Sequence, residues 1–163
     1  MIVNQACINF SEIKFIVTDF DGVWTDNKVY TDSHGNETVR SCKYDSLGLK
    51  FFREQYNIPI LVISSEKNSC VIMRCEKLKI PLINSTYDKV SALIREANRR
   101  KVNLANVLFV GNDLNDLSVM SHVGLSVTVA DAPKEIKKQS DIVLSNNGGD
   151  GAMRELFELF GLK

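Results

Sequence analysis

Short apolar runs alternate along this chain with amphipathic segments of helical period, and this alternation restricts the fold more than any other feature. The apolar runs predict strands at Lys14–Thr18, Pro59–Ser64, Leu82–Asn84, Val107–Val110, Leu125–Val129 and Asp141–Leu144. The amphipathic segments predict helices at about Leu47–Tyr56, Asn68–Lys79, Lys89–Lys101, Asn115–Ser121, Lys134–Lys138 and Ala152–Phe160. Such alternation is typical of a mainly parallel sheet with helices on both faces. We therefore predict a Rossmann-like α/β fold.

One stretch interrupts the alternation directly after the first predicted strand. Val29–Thr31 and Glu37–Val39 are short β-prone runs, and the turn-forming residues 32–36 separate them. This pattern predicts a small β-hairpin inserted at about 27–42, with no large cap. Because the chain shows no internal repeat, low-complexity tract or linker, we expect residues 1–163 to form a single domain.

The composition argues against several classes of partner. Acidic and basic side chains balance, with 20 of each, so no net charge attracts nucleic acid or a membrane surface. The first residues lack a basic region followed by an apolar stretch, so we expect no signal peptide, and the run Ile58–Ile63 is too short to span a bilayer. The four cysteines have neither zinc-binding nor redox spacing. We expect them to be reduced packing residues in a cytoplasmic protein.

Polar and charged side chains follow the ends of four successive predicted strands. In chain order these are Asp19 and Asp21, then Ser64, then Lys89, and finally Asn112, Asp113 and Asp116. Open parallel sheets bind their ligands at the edge where the carboxyl ends of the strands meet. We therefore expect these side chains to surround one site.

The carboxylates of this group need a cation. Clustered carboxylates repel one another strongly enough to raise a pKa unless a positive ion neutralises them, and hard oxygen ligands suit Mg²⁺ acting with a substrate phosphate. One carboxylate can attack phosphorus, and a second, two residues further on, can act as acid and base. Lys89 and Ser64 can hold the phosphoryl oxygens, and Gly22 would let backbone N–H groups approach them. The pattern therefore predicts Mg²⁺-dependent phosphoryl transfer.

Each of these residues also has a simpler interpretation. Asp-x-Asp-Gly is a common turn, Asp113 and Asp116 could merely cap the following helix, and Lys89 alone would be a solvated first-turn residue. The joint placement of these residues at four strand ends favours a site over the separate explanations. A signalling receiver domain also combines acids, a hydroxyl and a lysine, but its acidic pair is contiguous and its phosphorylated aspartate lies on a later strand.

Four motifs of the chain resemble, in order, those of the haloacid dehalogenase-like phosphatases. They are Asp19-Phe20-Asp21-Gly22, Ser64, Lys89, and Gly111-Asn112-Asp113 with Asp116. The predicted hairpin, the stretch DGVWTD and the closing GGDGAMRELFE resemble the capless branch that dephosphorylates sugar-acid phosphates. That branch includes phosphatases of 3-deoxy-octulosonate (KDO) 8-phosphate and of 3-deoxy-nonulosonate (KDN) 9-phosphate.

The resemblance implies how the acidic residues act. Asp19 would be the nucleophile that forms an aspartyl-phosphate, and Asp21 would be the acid/base. Mg²⁺ would be held by the Asp19 side chain, the Asp21 backbone carbonyl and Asp113. The resemblance thus implies a metal-dependent phosphomonoesterase.

The resemblance also implies roles for the other motif residues. Ser64, Lys89 and Gly22 would bind the phosphate, Asp116 would orient Lys89 and the metal shell, and Asn112 would support them. The partner would be a small sugar-acid phosphate, with no nucleic acid and no membrane involved. In the resembling branch, hairpins from four subunits pack together, so we expect a homotetramer.

The residues that follow Ser64 bear on the choice of substrate. Octulosonate enzymes typically have Thr-Gly-Arg at this point, whereas the nonulosonate type resembles Thr-Gly-Glu-Lys, and this chain has Glu66-Lys67. Arg74 and Lys77 follow at positions similar to that type's carboxylate-binding basic pair. All four residues could instead be solvated positions at the start and on the face of a helix.

We therefore expect a nonulosonate (KDN or acylneuraminate) 9-phosphate as the substrate. The alternatives are KDO 8-phosphate, or a non-catalytic oligomerisation module of sialic-acid activation. Such modules tend to lose motif residues, and this chain keeps all of them. Ser65 and Asn27 occupy positions where the branch usually has glycine.

Overall fold

A seven-stranded sheet forms the centre of the protein. The computed structural model describes residues 2–3 and 9–161 of the chain. In chain order the strands are β1 (Ile2–Val3), β2 (Phe15–Thr18), β3 (Thr25–Thr31), β4 (Glu37–Ser41), β5 (Ile60–Ile63), β6 (Leu82–Ile83), β7 (Val107–Gly111), β8 (Leu125–Thr128) and β9 (Ile142–Val143). Seven of them pair in the order β1-β9-β8-β7-β2-β5-β6, and every pair except β1 with β9 is parallel. The predicted mainly parallel sheet is confirmed.

The strands in the middle of this sheet bury both of their faces. β2, β5 and β7 are buried at every position, which explains why they are continuous apolar runs rather than alternating ones. β2 lies between the other two, and Thr18 pairs with Val62 on one side and Val110 on the other. The carboxyl ends of these three strands therefore lie side by side.

Two layers of helices cover the sheet. The helices are α1 (Lys43–Gln55), α2 (Ser69–Leu78), α3 (Lys89–Arg100), α4 (Leu117–Met120), α5 (Lys134–Gln139) and α6 (Ala152–Leu159). α1 packs on α6, where the ring centroids of Phe52 and Phe157 lie 4.7 Å apart, whereas α4 contacts both α3 and α5. Right-handed crossovers between parallel strands put α1 and α2 on one face and α3, α4 and α5 on the other. Within the described ranges, none of the helices has the length and apolar character needed to cross a membrane.

β3 and β4 form the predicted hairpin, which is confirmed as a separate two-stranded sheet. It spans Thr25–Ser41, and its register shifts between Thr25 and Val29 as in a β-bulge. Thr25 is fully buried, but Val29 and Tyr30 are 52% and 62% exposed. The hairpin therefore starts in the core, and its outer part projects away from it.

Three elements differ from the sequence prediction. α1 begins at Lys43 rather than at Leu47. Its first turn was missed because the buried residue there is Asp45, which accepts a hydrogen bond from the backbone N–H of Arg154 (2.9 Å) and adds nothing to an apolar pattern. The helix predicted at 115–121 is a 3₁₀ turn, Leu114–Asp116, followed by the short α4. The edge strand β1 was not predicted, since two residues are too few to show a period.

Candidate active site

Residues that follow β2, β5 and β7 surround a cavity of about 310 Å³. Its lining side chains come from Asp19, Asp21, Asn27, Ser64, Ser65, Glu66, Asn112, Asp113 and Asn115. The structure thus brings together most of the side chains that the sequence predicted to share one site. They meet because parallel strands that neighbour one another in the sheet end at the same edge.

Lys89 reaches this group from its buried side. The side chain is 2% exposed, and its Nζ lies 2.7 Å from Oδ2 of Asp19 and 2.8 Å from Oδ1 of Asp116. Lys89 is the first residue of α3, where the N-cap Asp88 accepts a hydrogen bond from the backbone N–H of Ser91. A buried ammonium needs paired partners, so the interpretation of Lys89 as a solvated residue is wrong.

Asp116 holds together the loop that follows β7. Its side chain is fully buried, and Oδ2 accepts hydrogen bonds from the backbone N–H groups of Asn112 (2.9 Å) and Asp113 (3.4 Å). The Asp113 side chain in turn accepts one from Leu114 N–H (2.7 Å) and another from the Asp116 backbone N–H, and the second of these completes a capping box. A Cβ on Gly111 would lie 2.6 Å from the Cβ of Asp116. The two acids therefore do cap the next turn, and Asp116 also pairs with the buried lysine.

The two acids after β2 have different environments. The Asp19 N–H donates to the Val110 carbonyl (2.9 Å), and Oδ1 accepts from Phe20 N–H (2.6 Å). Oδ1 of Asp21 accepts a hydrogen bond from the Thr25 hydroxyl (3.2 Å). Oδ2 of Asp21 is buried and has no hydrogen-bond partner among residues 9–161. The first carboxylate is therefore fixed at both oxygens and the second at only one.

Burial dominates the electrostatics of the site. It raises the pKa of Asp19 to about 7, with a further upward contribution from Asp116, and the neighbouring Lys89 only partly offsets this. Burial likewise raises the pKa of Asp21. Burial lowers the pKa of Lys89, but the carboxylates of Asp19 and Asp116 more than offset it, and the pKa is raised overall. Lys89 is therefore charged, and the acids need further positive charge to ionise fully near neutral pH.

The cavity fits a divalent cation. Four of its lining side chains are carboxylates (Asp19, Asp21, Glu66 and Asp113), and none of the described residues that line it is basic. An anionic phosphate would be repelled by this lining unless a cation offsets the charge. Oxygen ligands from Asp19, Asp113 and the Asp21 backbone are of the kind Mg²⁺ prefers. Residues 9–161 contain no cluster of three His, Cys, Asp or Glu side chains suited to a metal. The predicted ligand set differs from such a cluster, because it consists of two side chains, Asp19 and Asp113, and the backbone carbonyl of Asp21.

Ser64 and Glu66 lie at the cavity, on the loop after β5. Ser64 is 1% exposed, and its Oγ accepts a hydrogen bond from the Glu66 backbone N–H (3.1 Å). The exposed Glu66 side chain lines the cavity, whereas Lys67 does not. Glu66 is therefore in a position to contact a molecule bound beside the acids, and a role for Lys67 in substrate choice stays a prediction.

Arg74 and Lys77 lie outside this cavity. They line a second one of about 270 Å³ between α2 and the hairpin, together with Phe20 and Val39. Arg74 donates a hydrogen bond to Oγ of Ser46 (2.7 Å). The predicted basic pair thus lies in a different cavity from Glu66, although Phe20, the residue between the two acids, lines that second cavity.

Gly22 has a neighbour that the sequence did not indicate. Its φ is +82°, and a Cβ would lie 2.0 Å from Nδ2 of Asn112. Its N–H donates to Oγ1 of Thr25 (3.1 Å) rather than to the cavity. Close approach to Asn112 therefore accounts for this glycine, and phosphate binding by Gly22 stays a prediction.

Gly148 and Gly149 support the site from the far end of the chain. A Cβ on Gly148 would lie 1.9 Å from the Gly22 carbonyl oxygen, and one on Gly149 would lie 2.4 Å from the carbonyl carbon of Thr25. The Gly149 N–H donates to the Val23 carbonyl (3.0 Å). Backbone thus packs directly on the backbone of the loop that carries Asp21. In the sequence, the only sign of this close packing was that two glycines are adjacent.

Asn27 is a second residue whose place the sequence did not reveal. It lines the cavity and has a φ of +58°, the left-handed conformation. Asparagine tolerates this conformation better than most residues. This explains how the chain keeps the local geometry at a position where the resembling branch has glycine.

The comparisons with known proteins agree with this geometry. The model of the haloacid dehalogenase-like hydrolase family matches residues 49–156. A 3-deoxy-D-manno-octulosonate 8-phosphate phosphatase of Haemophilus influenzae is 34% identical over 149 residues, which cover 90% of this chain and 82% of that protein.

Two solved structures are similar over most of their length. One is the 3-deoxy-D-manno-octulosonate 8-phosphate phosphatase of Moraxella catarrhalis with magnesium, phosphate and KDO, at 28% identity and a TM-score of 0.87, covering 92% of this chain and 86% of that one. The other is the cobalt-bound octulosonate phosphatase of Haemophilus influenzae, at 31% identity and a TM-score of 0.86, covering 92% and 88%.

Proposed function

Because this chain belongs to the haloacid dehalogenase-like hydrolases and is a phosphatase, we propose that it hydrolyses a 3-deoxy-2-keto sugar-acid phosphate with Mg²⁺ bound. One observation carries the proposal. Lys89 is buried and bridges Asp19 and Asp116 beside a cavity that Asp21, Ser64 and Asp113 also line. This arrangement supports a nucleophile, an acid/base and phosphate ligands within reach of one phosphoryl group.

The proposed reaction has two steps. A carboxylate oxygen of Asp19 attacks phosphorus, the bond to the sugar oxygen breaks, and that oxygen takes a proton from Asp21. Water then attacks phosphorus of the aspartyl-phosphate and gives a proton to Asp21, the bond between the Asp19 oxygen and phosphorus breaks, and inorganic phosphate leaves. Lys89 and Ser64 hold phosphoryl oxygens in both steps. Bound Mg²⁺ would add positive charge that favours an ionised Asp19 and offsets the developing phosphoryl charge.

The chain length of the sugar has two candidates. The relatives reported above are octulosonate 8-phosphate phosphatases, and they support the eight-carbon substrate, which the sequence motifs indicated only as an alternative. The nine-carbon substrate rests on Glu66, which lines the cavity where octulosonate enzymes typically have arginine. A carboxylate there repels a substrate carboxylate and accepts hydrogen bonds from sugar hydroxyl or amino groups. In either case, Arg74 is the proposed ligand of the distant carboxylate, because its planar fork binds such groups bidentately.

The test is a substrate profile. Phosphate release is measured with Mg²⁺ on octulosonate 8-phosphate, nonulosonate 9-phosphate and acylneuraminate 9-phosphate, with a simple hexose phosphate as the control. We expect a sugar-acid phosphate to be preferred over the hexose phosphate. Equal rates on all four would contradict the substrate class, and no release from any of them would contradict catalysis itself.

Reversing the charge of Glu66 should change substrate preference. For Glu66→Arg we expect kcat/KM on nonulosonate 9-phosphate to fall by at least about tenfold, or roughly 1.4 kcal/mol of transition-state stabilisation. The ratio of octulosonate to nonulosonate activity should rise, because an arginine here suits a carboxylate nearer the phosphate. Glu76→Arg, the same change at an exposed residue of α2, is the control. A loss by the same factor on both substrates would show that Glu66 does not contact the sugar.

The exposed hairpin predicts a homotetramer. Val29 and Tyr30 are more than half exposed, and a lone hairpin is marginal in water without further packing. Light scattering should give about four times the chain mass of 18.3 kDa, and Tyr30→Asp should lower both the mass and the activity. The matched change Ile94→Asp, at an exposed apolar residue of α3, should alter neither. A fully active monomer would overturn this prediction.

A further inference from the structure

Thr25 contacts the proposed acid/base but has no part in the reaction described so far. It is the first residue of β3 and is fully buried. Its hydroxyl oxygen lies 3.2 Å from Oδ1 of Asp21, 3.1 Å from the Gly22 nitrogen and 3.4 Å from the Asn27 nitrogen. One side chain thus joins the two ends of the turn that carries Asp21.

The direction of these hydrogen bonds follows from counting donors. The N–H groups of Gly22 and Asn27 can only donate, so they occupy the two lone pairs of the Thr25 hydroxyl. The single hydroxyl hydrogen is left for Asp21, whose Oδ1 accepts it. Oδ1 is therefore occupied, whereas Oδ2 has no partner among residues 9–161. The Thr25 hydroxyl is therefore the contact that sets the orientation of the Asp21 carboxylate.

The backbone of Thr25 is held in place as well. The Gly149 backbone packs against it so closely that a Cβ on Gly149 would lie 2.4 Å from the carbonyl carbon of Thr25. The neighbouring Trp24 donates from its indole N–H to the Thr18 hydroxyl on β2 (2.9 Å). The Thr25 backbone is thus held between Trp24, which is hydrogen-bonded to β2, and the Gly149 backbone. A hydroxyl held in this way can fix the orientation of a carboxylate that is otherwise free to rotate.

We propose that Thr25 is a positioning residue, whose hydroxyl holds Oδ1 of Asp21 and so fixes the carboxylate in the orientation from which it transfers a proton. The proposal rests on the function proposed above, in which Asp21 gives a proton to the departing sugar oxygen. Thr25 itself does not line the cavity beside the acids. Its effect is therefore confined to the two steps in which Asp21 transfers a proton, to the departing sugar oxygen and from the attacking water.

The test compares two leaving groups. Thr25→Val keeps the shape of the side chain and removes the hydroxyl, whereas Thr25→Ser keeps the hydroxyl. For Thr25→Val we expect kcat on the preferred sugar-acid phosphate to fall about tenfold or more, since an alkoxide needs a proton to leave. On p-nitrophenyl phosphate, whose phenolate leaves as a stable anion, the burst phase that reports aspartyl-phosphate formation should slow by less than about threefold, since only the later attack by water needs Asp21. Thr25→Ser should stay within about threefold of wild type on both substrates.

Other outcomes would overturn the proposal. Equal losses on the two substrates would mean that Thr25 only supports the fold, and unchanged rates would mean that it does not act on Asp21. If Thr25→Val does not fold, Thr25→Cys gives the same comparison with a much weaker donor.

In an Asp21→Asn background, Thr25→Val should cause no further loss on the sugar-acid phosphate, and an additive loss would contradict coupling between the two residues. Inactive wild-type protein on both substrates would instead contradict the proposed function.

Discussion

Asp19→Asn is expected to lower kcat by roughly 10⁴-fold or more, a loss typical of removing a nucleophile. The amide is nearly isosteric with the carboxylate but cannot attack phosphorus as an anion or serve as a charged ligand of Mg²⁺. The measurement is phosphate release on the preferred sugar-acid phosphate, together with acid-quench trapping of the phosphoenzyme. We expect trapped aspartyl-phosphate in the wild-type protein and none in the variant.

The fold should survive this substitution. Lys89 keeps a carboxylate partner, because Oδ1 of Asp116 lies 2.8 Å from its Nζ independently of Asp19. The buried ammonium is therefore not left unpaired, which would be the expensive outcome. The melting temperature of Asp19→Asn should lie within a few degrees of wild type. Activity within a few-fold of wild type would contradict the assignment of Asp19 as the nucleophile.

Asp21→Asn should lower kcat on the sugar-acid phosphate by about 10²- to 10⁴-fold, the usual contribution of general acid–base catalysis. An amide cannot protonate the departing sugar oxygen or take a proton from water. Binding of phosphate or vanadate with Mg²⁺ should persist, since the backbone carbonyl proposed as a metal ligand is unchanged. Isothermal titration with vanadate measures this directly.

The companion measurement uses p-nitrophenyl phosphate. Formation of the aspartyl-phosphate from this substrate needs no proton from Asp21, so its burst phase should be less affected than turnover of the sugar-acid phosphate. Loss of vanadate binding together with activity would mean that Asp21 supports the structure of the loop instead. On p-nitrophenyl phosphate, which has no sugar for Glu66 to contact, Glu66→Gln neutralises another carboxylate of the same cavity and controls for the general change in charge.

Local sequence patterns were sufficient to predict the main elements of the fold. The apolar runs around Val17, Val62 and Val110 identified the three central strands, because a strand buried on both faces needs apolar residues at every position. The predicted hairpin was found for a similar reason, since β-prone runs on either side of turn-forming residues are a local signal. The start of α1 was missed because Asp45 is buried against α6 by a polar contact, which has no hydrophobic period.

The sequence also determined which strand ends carry the polar side chains, and hence that Asp19, Ser64 and Asp113 share one edge of the sheet. Order along the chain and parallel pairing suffice for that conclusion. Tertiary structure alone decided which side chains touch: Lys89 bridges Asp19 and Asp116, and Arg74 lies in a neighbouring cavity. It also brought the Gly149 backbone against Thr25. These contacts join residues far apart in the chain, and the packing of the whole core fixes their distances, so no local period or spacing encodes them.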